Sequence, residues 1–328
     1  MLNKTIKKLT LIMLGLGAAG LVHATYPDKP IVITVPFAAG GPTDTVARQV
    51  AQAMQKTLKQ SVIVENVGGA GGTLGVAKVV KAGNTDGYNL VLTHIGMATA
   101  PAVYKGRLSY DPLKDFEYIG QVVDVPMVFV TRLGLPVKDF KDLIAYAKSK
   151  AGNATMANAG VSSASHLCGL LFQSAIQTDL NTIPYKGTGP ALTDVMGDRI
   201  DMMCDQTTNV TSHIQGGKIK ALAVAGTKKV ATFPQLPLAQ DAGGLKGFNV
   251  TVWHGLYAPK GTNKEALDAL GKALRAAVVD PDFVRKMQEL GAEPATTQEA
   301  TPEGLKNLLA AEIAKWDPLI KAAGIYAD

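Results

Sequence analysis

The sequence predicts a two-lobed α/β protein, on three observations. Short β-branched runs alternate with helical patterns along most of the chain, as in mostly parallel sheets covered by helices on both faces. Two apolar runs, Val122–Val130 and Val250–Ala258, bracket a stretch that repeats the same strand–helix logic, as expected of strands that cross to a second lobe and return. The chain has 328 residues, 47% hydrophobic and 18% charged, which is enough for two cores. The expected division is residues 25–125 with 248–328 in a discontinuous first lobe, and 126–247 in the second.

The first 24 residues stand apart from that division. Lys4, Lys7 and Lys8 precede a 14-residue apolar run, Leu9–Val22, which is too short to span a bilayer comfortably. With Val22-His23-Ala24 behind it, the segment reads as a secretory signal peptide cut after Ala24. The mature chain then has 304 residues and lies outside the cytoplasm, and no cysteine at the cut offers a lipid anchor. Removing those three lysines lowers the net charge from +6 to +3. Without basic runs or an aromatic–basic stripe, nucleic acid is excluded as a partner. The 34 Gly and 17 Pro are scattered and form no low-complexity block, so collagenous and disordered readings fall too.

Along the mature chain, Ile31–Val35 between prolines predicts a strand, followed by a helix with Val46, Val50, Met54 and Leu58 at four-residue spacing. Val62–Val64, the loop Gly68–Gly72 and a helix from Thr73 to Lys81 repeat the unit. Tyr88–Thr93 is a third strand, and Tyr110–Gly120 breaks the rhythm before the crossing strand. In the second lobe, helices are expected over 140–150 and from 167, and strands over 154–159, 182–185, 200–204 and 219–224. Asn263–Val279, a short helix from Pro281 and Thr301–Ala323, bent at Pro318, close the chain.

Small-residue loops at strand ends carry the chemistry. Ala38–Asp44, Gly68–Thr73 and Ser162–Ser165 each lead into a helix whose first N–H groups lack intrahelical partners and carry partial positive charge. Such sites hold carboxylates or phosphates, in a cleft between the lobes. His94 and His166 sit at strand-to-helix loops facing that cleft. Phe37 and Trp253 are candidates for its wall, and Asp205 for a ligand-amine acceptor, a loop anchor or a helix cap. No dinucleotide or P-loop motif, CxxC or HExxH is present, so no cofactor or metal is expected. Ser165, His166 and Asp205 suggest a hydrolytic triad only superficially, since no GxSxG surrounds the serines and neighbouring residues diverge by about 100° at a helix start. Cys168 and Cys204 in an exported chain form one bridge or stay as two buried thiols.

The residues also resemble a family. Tyr26–Pro30, Pro36–Asp44 with Arg48, Asn66–Gly72, Tyr110-Asp111-Pro112, Ser163–Leu167, Pro184–Gly187 with Pro190-Ala191, Cys204–Asn209 and Trp253–Pro259 are similar, in order, to the Bug-type extracytoplasmic solute receptors. These are the binding-protein component of tripartite tricarboxylate transporters. The resemblance implies a type II periplasmic-binding-protein fold, a venus flytrap hinged on two crossover strands. It implies a monomeric periplasmic receptor, not an enzyme, that closes on a small mono- or dicarboxylate, aliphatic or aromatic, and delivers it to membrane permease subunits. Presentation of the same ligand to a membrane sensor is the alternative. Carried onto this chain, the family's backbone-dominated carboxylate site comprises Phe37, Ala38, Gly40, Gly41, Thr43 and Asp44 with Thr93 and His94, facing Ser162, Ser165, His166 and Asp205. Paired cysteines beside His-Leu and before Asp-Gln resemble one branch of the family, which favours a Cys168–Cys204 bridge. His94-Ile95-Gly96-Met97 departs from the small polar residues expected at the third strand's end.

Overall fold

The computed structural model describes residues 26–322, Gly324 and Tyr326. The expected signal peptide therefore lies outside the described residues.

Strand β1 (Ile31–Val35) is flanked by Pro30 and Pro36, which cannot donate to a ladder and so bound it. It pairs in parallel with β2 (Val62–Asn66) on one side and β3 (Asn89–His94) on the other. Helix α1 (Pro42–Leu58) follows β1 and buries Val46, Val50, Met54 and Leu58, the face its spacing predicts. Helix α2 (Thr73–Ala82) stops at Gly83, whose φ of 62° is a left-handed cap that costs glycine little. Helix α3 (Gly96–Val103), directly after β3, had no signal in the sequence. All its residues but Pro101 are buried, so no polar stripe marks its period.

The crossing strand β4 (Phe116–Thr131) is 16 residues long and begins six residues before the apolar run that predicted it. Its first part, to Pro126, pairs antiparallel with β9 (Thr251–Pro259). Its last five residues, Met127–Thr131, pair antiparallel with β7 (Met202–Gln206) and β8 (Lys220–Val224). One strand thus belongs to both lobes, and Asp124 and Pro126 mark the crossing. The chain returns where Val250 N–H donates to Ala225 O at 2.7 Å, while Ala225 N–H donates to Met127 O at 2.8 Å. The sheet runs β2-β1-β3-β9-β4-β7-β5-β6, with β5 (Thr155–Asn158) and β6 (Asn181–Pro184) at the far edge and β10 (Glu293–Pro294) and β8 pairing β4. It is mixed: parallel at both outer ends, and antiparallel where β4 and β9 carry the chain out and back.

The second lobe's helices are α4 (Phe140–Ser149), α5 (Ala164–Ile176), α6 (Thr188–Met196), α7 (Thr207–Gln215) and the short α8 (Ala239–Ala242). Helices α9 (Lys264–Ala277), α10 (Pro281–Glu289) and α11 (Pro302–Ala322) return to the first, and α11 runs on through Pro318. One core cluster packs α1 and α9 on the first sheet through Ile33, Val50, Leu90 and Leu270. Another fills one face of the second sheet with Val128, Val130, Met203 and Val210. A third extends from Val91 and Tyr257 to Phe129, Phe140 and Phe172, with Phe129 ring centroids 4.8 Å from Phe172 and 4.9 Å from Phe140. Cys168 on α5 and Cys204 on β7 are disulfide-bonded, with Cα atoms 6.1 Å apart.

Candidate ligand site between the lobes

Four helices begin at one place. The N-termini of α1, α5, α6 and α7 surround a single gap between the lobes, lined by Gly41, Pro42 and Thr43, by Ser163, Ala164 and Ser165, by Thr188 and by Gln206. Each start follows a strand end or a tight loop, so the parallel strands aim their helix dipoles at the same spot. Only α5 is closed by a side chain, Ser163 Oγ accepting from His166 N–H at 3.2 Å. At α1, α6 and α7 the cap residues Gly41, Gly187 and Gln206 make no such bond.

Six of the expected site residues line the gap: Phe37, Gly41, Thr43, His94, Ser165 and Asp205. The other six surround it. Ala38 N–H donates across the lobes to Lys186 O at 3.1 Å. Gly40 N–H donates to Asp44, whose carboxylate also accepts from Arg48 and, at 3.0 Å, from Asn66 Nδ2. Asp44 is thereby spent on shaping its own loop. Burial alone would raise its pKa, but these donors outweigh it and hold the carboxyl below the usual range. Thr93 is paired in the sheet with Gly255. Ser162, at φ 73°, lies against Thr99 of α3, and its N–H donates to His166 Nδ1 at 3.4 Å. Trp253 packs in the core with its Nε1–H directed to Glu312, away from the gap.

Pro42, Ser163 and Ala164, from two of the candidate loops, line the gap as well, and so do Ala159, Thr188 and Gln206, which lay outside those loops. Thr188 and Gln206 each stand where a strand or loop passes into an uncapped helix, the same signal that picked out Gly41 and Thr43.

The charges are few. Among the described residues no lysine or arginine lines the gap. Phe37 stacks on His94 at 4.7 Å, and His94 meets His254 edge-on at 5.8 Å. Burial pushes His94 and His166 down to about 4, and His254 well down, so all three are neutral at neutral pH. His94 Nδ1 accepts from Gly96 N–H at 3.0 Å, which leaves its proton on Nε2. Asp205 is wholly buried, and burial pushes its carboxyl up to about 7 despite hydrogen bonds from Asn209, Gln206 N–H and Thr188. Positive potential here comes from main-chain dipoles rather than side chains. Ser165 Oγ accepts from Ala159 N–H at 2.9 Å and pairs with Ser163 Oγ, while His166 turns to Ser162 and Asp205 to Asn209, so the three are not arranged as a relay.

Residues 46–325 match the family model described as the tripartite tricarboxylate transporter family receptor. The chain belongs to that family. A protein of Agrobacterium vitis, described as a UPF0065 protein in the TAR-I ttuE-ttuC' intergenic region, is 46% identical over 92% of this chain and 86% of its own. The structure of the periplasmic binding protein BugD is similar at a TM-score of 0.89 and 48% identity, over 92% of this chain and all of that one. MatC from Rhodopseudomonas palustris, solved with bound malate, has a TM-score of 0.85 at 35% identity, covering 90% of this chain and all of MatC. The fold is therefore that of a two-lobed solute-binding receptor, and members of this family bind solutes rather than transform them.

The receptor is shut in this structure. The gap is about 10 Å³, room for the centre of one water. Main chain meets main chain across it. A Cβ built on Gly71 of the first lobe would stand 1.6 Å from Val161 O of the second, and one on Gly187 would stand 3.1 Å from Ala38 N. No helix among the described residues is long and apolar enough to cross a membrane.

Proposed function

We propose that this receptor works in the periplasm, exported by residues 1–24. It captures a small organic carboxylate between lobes 25–125 with 248–328 and 126–247, and hands it to the permease subunits of a tripartite transporter. Family membership supports the transport role, and malate bound to MatC supports the ligand class. The observation that carries the reading is the set of helix N-termini without side-chain caps around one gap. Their free N–H groups suit an anion that only accepts hydrogen bonds.

Closure follows from the split of the site. Gly41 and Thr43 come from one lobe, Ser165, Thr188 and Asp205 from the other, so a ligand reaches both sets only in the closed form. Ligand binding then favours closure by its extra contacts there. A gap too small for a carboxylate means that the lobes separate to admit one.

The test is a thermal-shift screen of the mature protein against mono- and dicarboxylates, with small-angle scattering on each hit. A ligand at 100 times its Kd stabilises by about 2.7 kcal/mol. A carboxylate that raises the melting temperature and contracts the particle supports the proposal. Response only to neutral or cationic compounds, or binding without contraction, overturns it.

A further inference from the structure

The second-lobe wall of the gap holds hydrogen-bond acceptors that a bare carboxylate cannot satisfy. Gln206 closes β7 and opens α7, lines the gap, and is 3% exposed. Its Oε1 is buried with no hydrogen-bond partner. Beside it, the wholly buried carboxyl group of Asp205 lines the same gap, with hydrogen bonds from neutral donors of its own lobe and no cationic side chain against it. A buried polar atom left unpaired is expensive, so an orphaned acceptor on a residue that lines the gap points to a donor on the ligand.

We infer that Gln206, seconded by Asp205, is a specificity-determining residue that selects carboxylates bearing a hydroxyl or ammonium group close to the carboxylate over the same acid without one. The inference rests on the carboxylate reading above and deepens it. The ligand's carboxylate oxygens take the free N–H groups of the helix starts, and its O–H or N–H donates to Gln206 Oε1. The unsubstituted acid makes the first set of bonds and leaves the acceptor dry and unpaired. Sites built to bond a donor reject the analogue lacking it far more strongly than sites that discriminate by size.

Both partners are held by the fold rather than by the ligand. The register that sets Gln206 opposite Met127 and Asp205 opposite Val128 fixes their strand, and the disulfide at Cys204 anchors it to α5. Gln206 caps no helix through its side chain, so replacing it removes the amide, Oε1 acceptor and Nε2 donor together, without removing a helix cap.

The experiment is isothermal titration of the mature protein with matched trios that differ only in carrying H, OH or NH3+ at the second carbon: succinate, malate and aspartate; glutarate, 2-hydroxyglutarate and glutamate; propionate, lactate and alanine. In whichever trio binds, a substituted acid binds at least tenfold tighter than its bare parent, and the stronger of OH and NH3+ identifies the donor. In Gln206→Leu that ratio falls to within about threefold of unity. A bare acid that binds as tightly as both its relatives, or a ratio unchanged in Gln206→Leu, overturns the inference while leaving carboxylate capture standing. Absence of heat with every acid overturns this inference, while the carboxylate reading is decided separately by the thermal-shift screen above.

Discussion

Cys168 and Cys204 tie helix α5 to strand β7, and each lies beside a residue that lines the ligand gap. Ser165 stands three residues before the first, and Asp205 immediately follows the second. The bridge closes a loop with a sequence separation of 36, for which chain-entropy arguments give about 4 kcal/mol of stabilisation. Replacing both cysteines by serine is expected to lower stability by that order, read from urea melts. Because the two halves of the second-lobe site are then free to shift, ligand affinity also falls. Unchanged affinity in the double variant would show that the strand and helix hold the site without the bond.

Closure depends on the absence of one side chain. Gly71 approaches Val161 so closely that an added Cβ would overlap its carbonyl oxygen, and the φ of 61° adds backbone strain. Gly71→Ala should leave each lobe folded, with an unchanged far-ultraviolet circular dichroism spectrum, and should weaken ligand binding at least tenfold by keeping the parted lobes from re-closing around the ligand at this contact. Gly83→Ala is the control. It has a similar φ of 62° with nothing within 4 Å of the new Cβ, and its affinity is expected to stay at the wild-type value. Equal affinities in the two variants would mean that this contact does not gate binding.

Much of the architecture was legible in the sequence because its elements are one-sided. Helix α1 shows a four-residue apolar spacing and β1 sits between prolines, so both were read nearly to their ends. Helices α3 and α6 were not read. The first is buried almost all round, and the second opens Thr-Gly-Pro, a pattern that also suits a turn. The early start of β4 was hidden because Phe116–Gln121 mixes charged, glycine and aromatic residues while it pairs with β9. At the site, residues in glycine-rich loops announced themselves by composition. Thr188 and Gln206 did not, since their place depends on where four helices converge in space. The position of Asp44 in the loop did not reveal that its carboxylate is engaged by Gly40, Arg48 and Asn66.

That arrangement makes Asp44 a measurable anchor. Asp44→Ala leaves the Gly40 N–H and the Asn66 amide without their acceptor at a buried position, at a cost of about 2–3 kcal/mol. Arg48→Ala should cost less, about 0.5–1 kcal/mol, because the guanidinium is half exposed and screened by solvent. Urea denaturation of the two variants gives the order directly. A larger loss for Arg48→Ala would place the anchoring in the ion pair rather than in the loop donors.

Asp205 contributes to the pH dependence of the receptor in the opposite sense to Asp44 and to the buried His94, His166 and His254. Its folded carboxyl is pushed up to about 7 by burial, against about 3.9 for an unfolded aspartate. Between those values the folded chain binds more protons at this group than the unfolded chain does. Its contribution to stability is therefore most favourable below about pH 4 and declines as pH rises towards 7. Asp44, whose carboxyl is held low, contributes stability that is present above about pH 4 and lost as the pH falls through its folded pKa. The windows do not overlap, so a variant separates them. In Asp205→Asn this contribution disappears while those of the buried histidines remain, so the variant gains on the wild type as the pH increases from 4.5, reaching its largest advantage above 7. Melting temperatures of the two proteins across that range measure the difference. A constant offset at every pH would mean that Asp205 ionises as freely in the folded protein as in the unfolded chain.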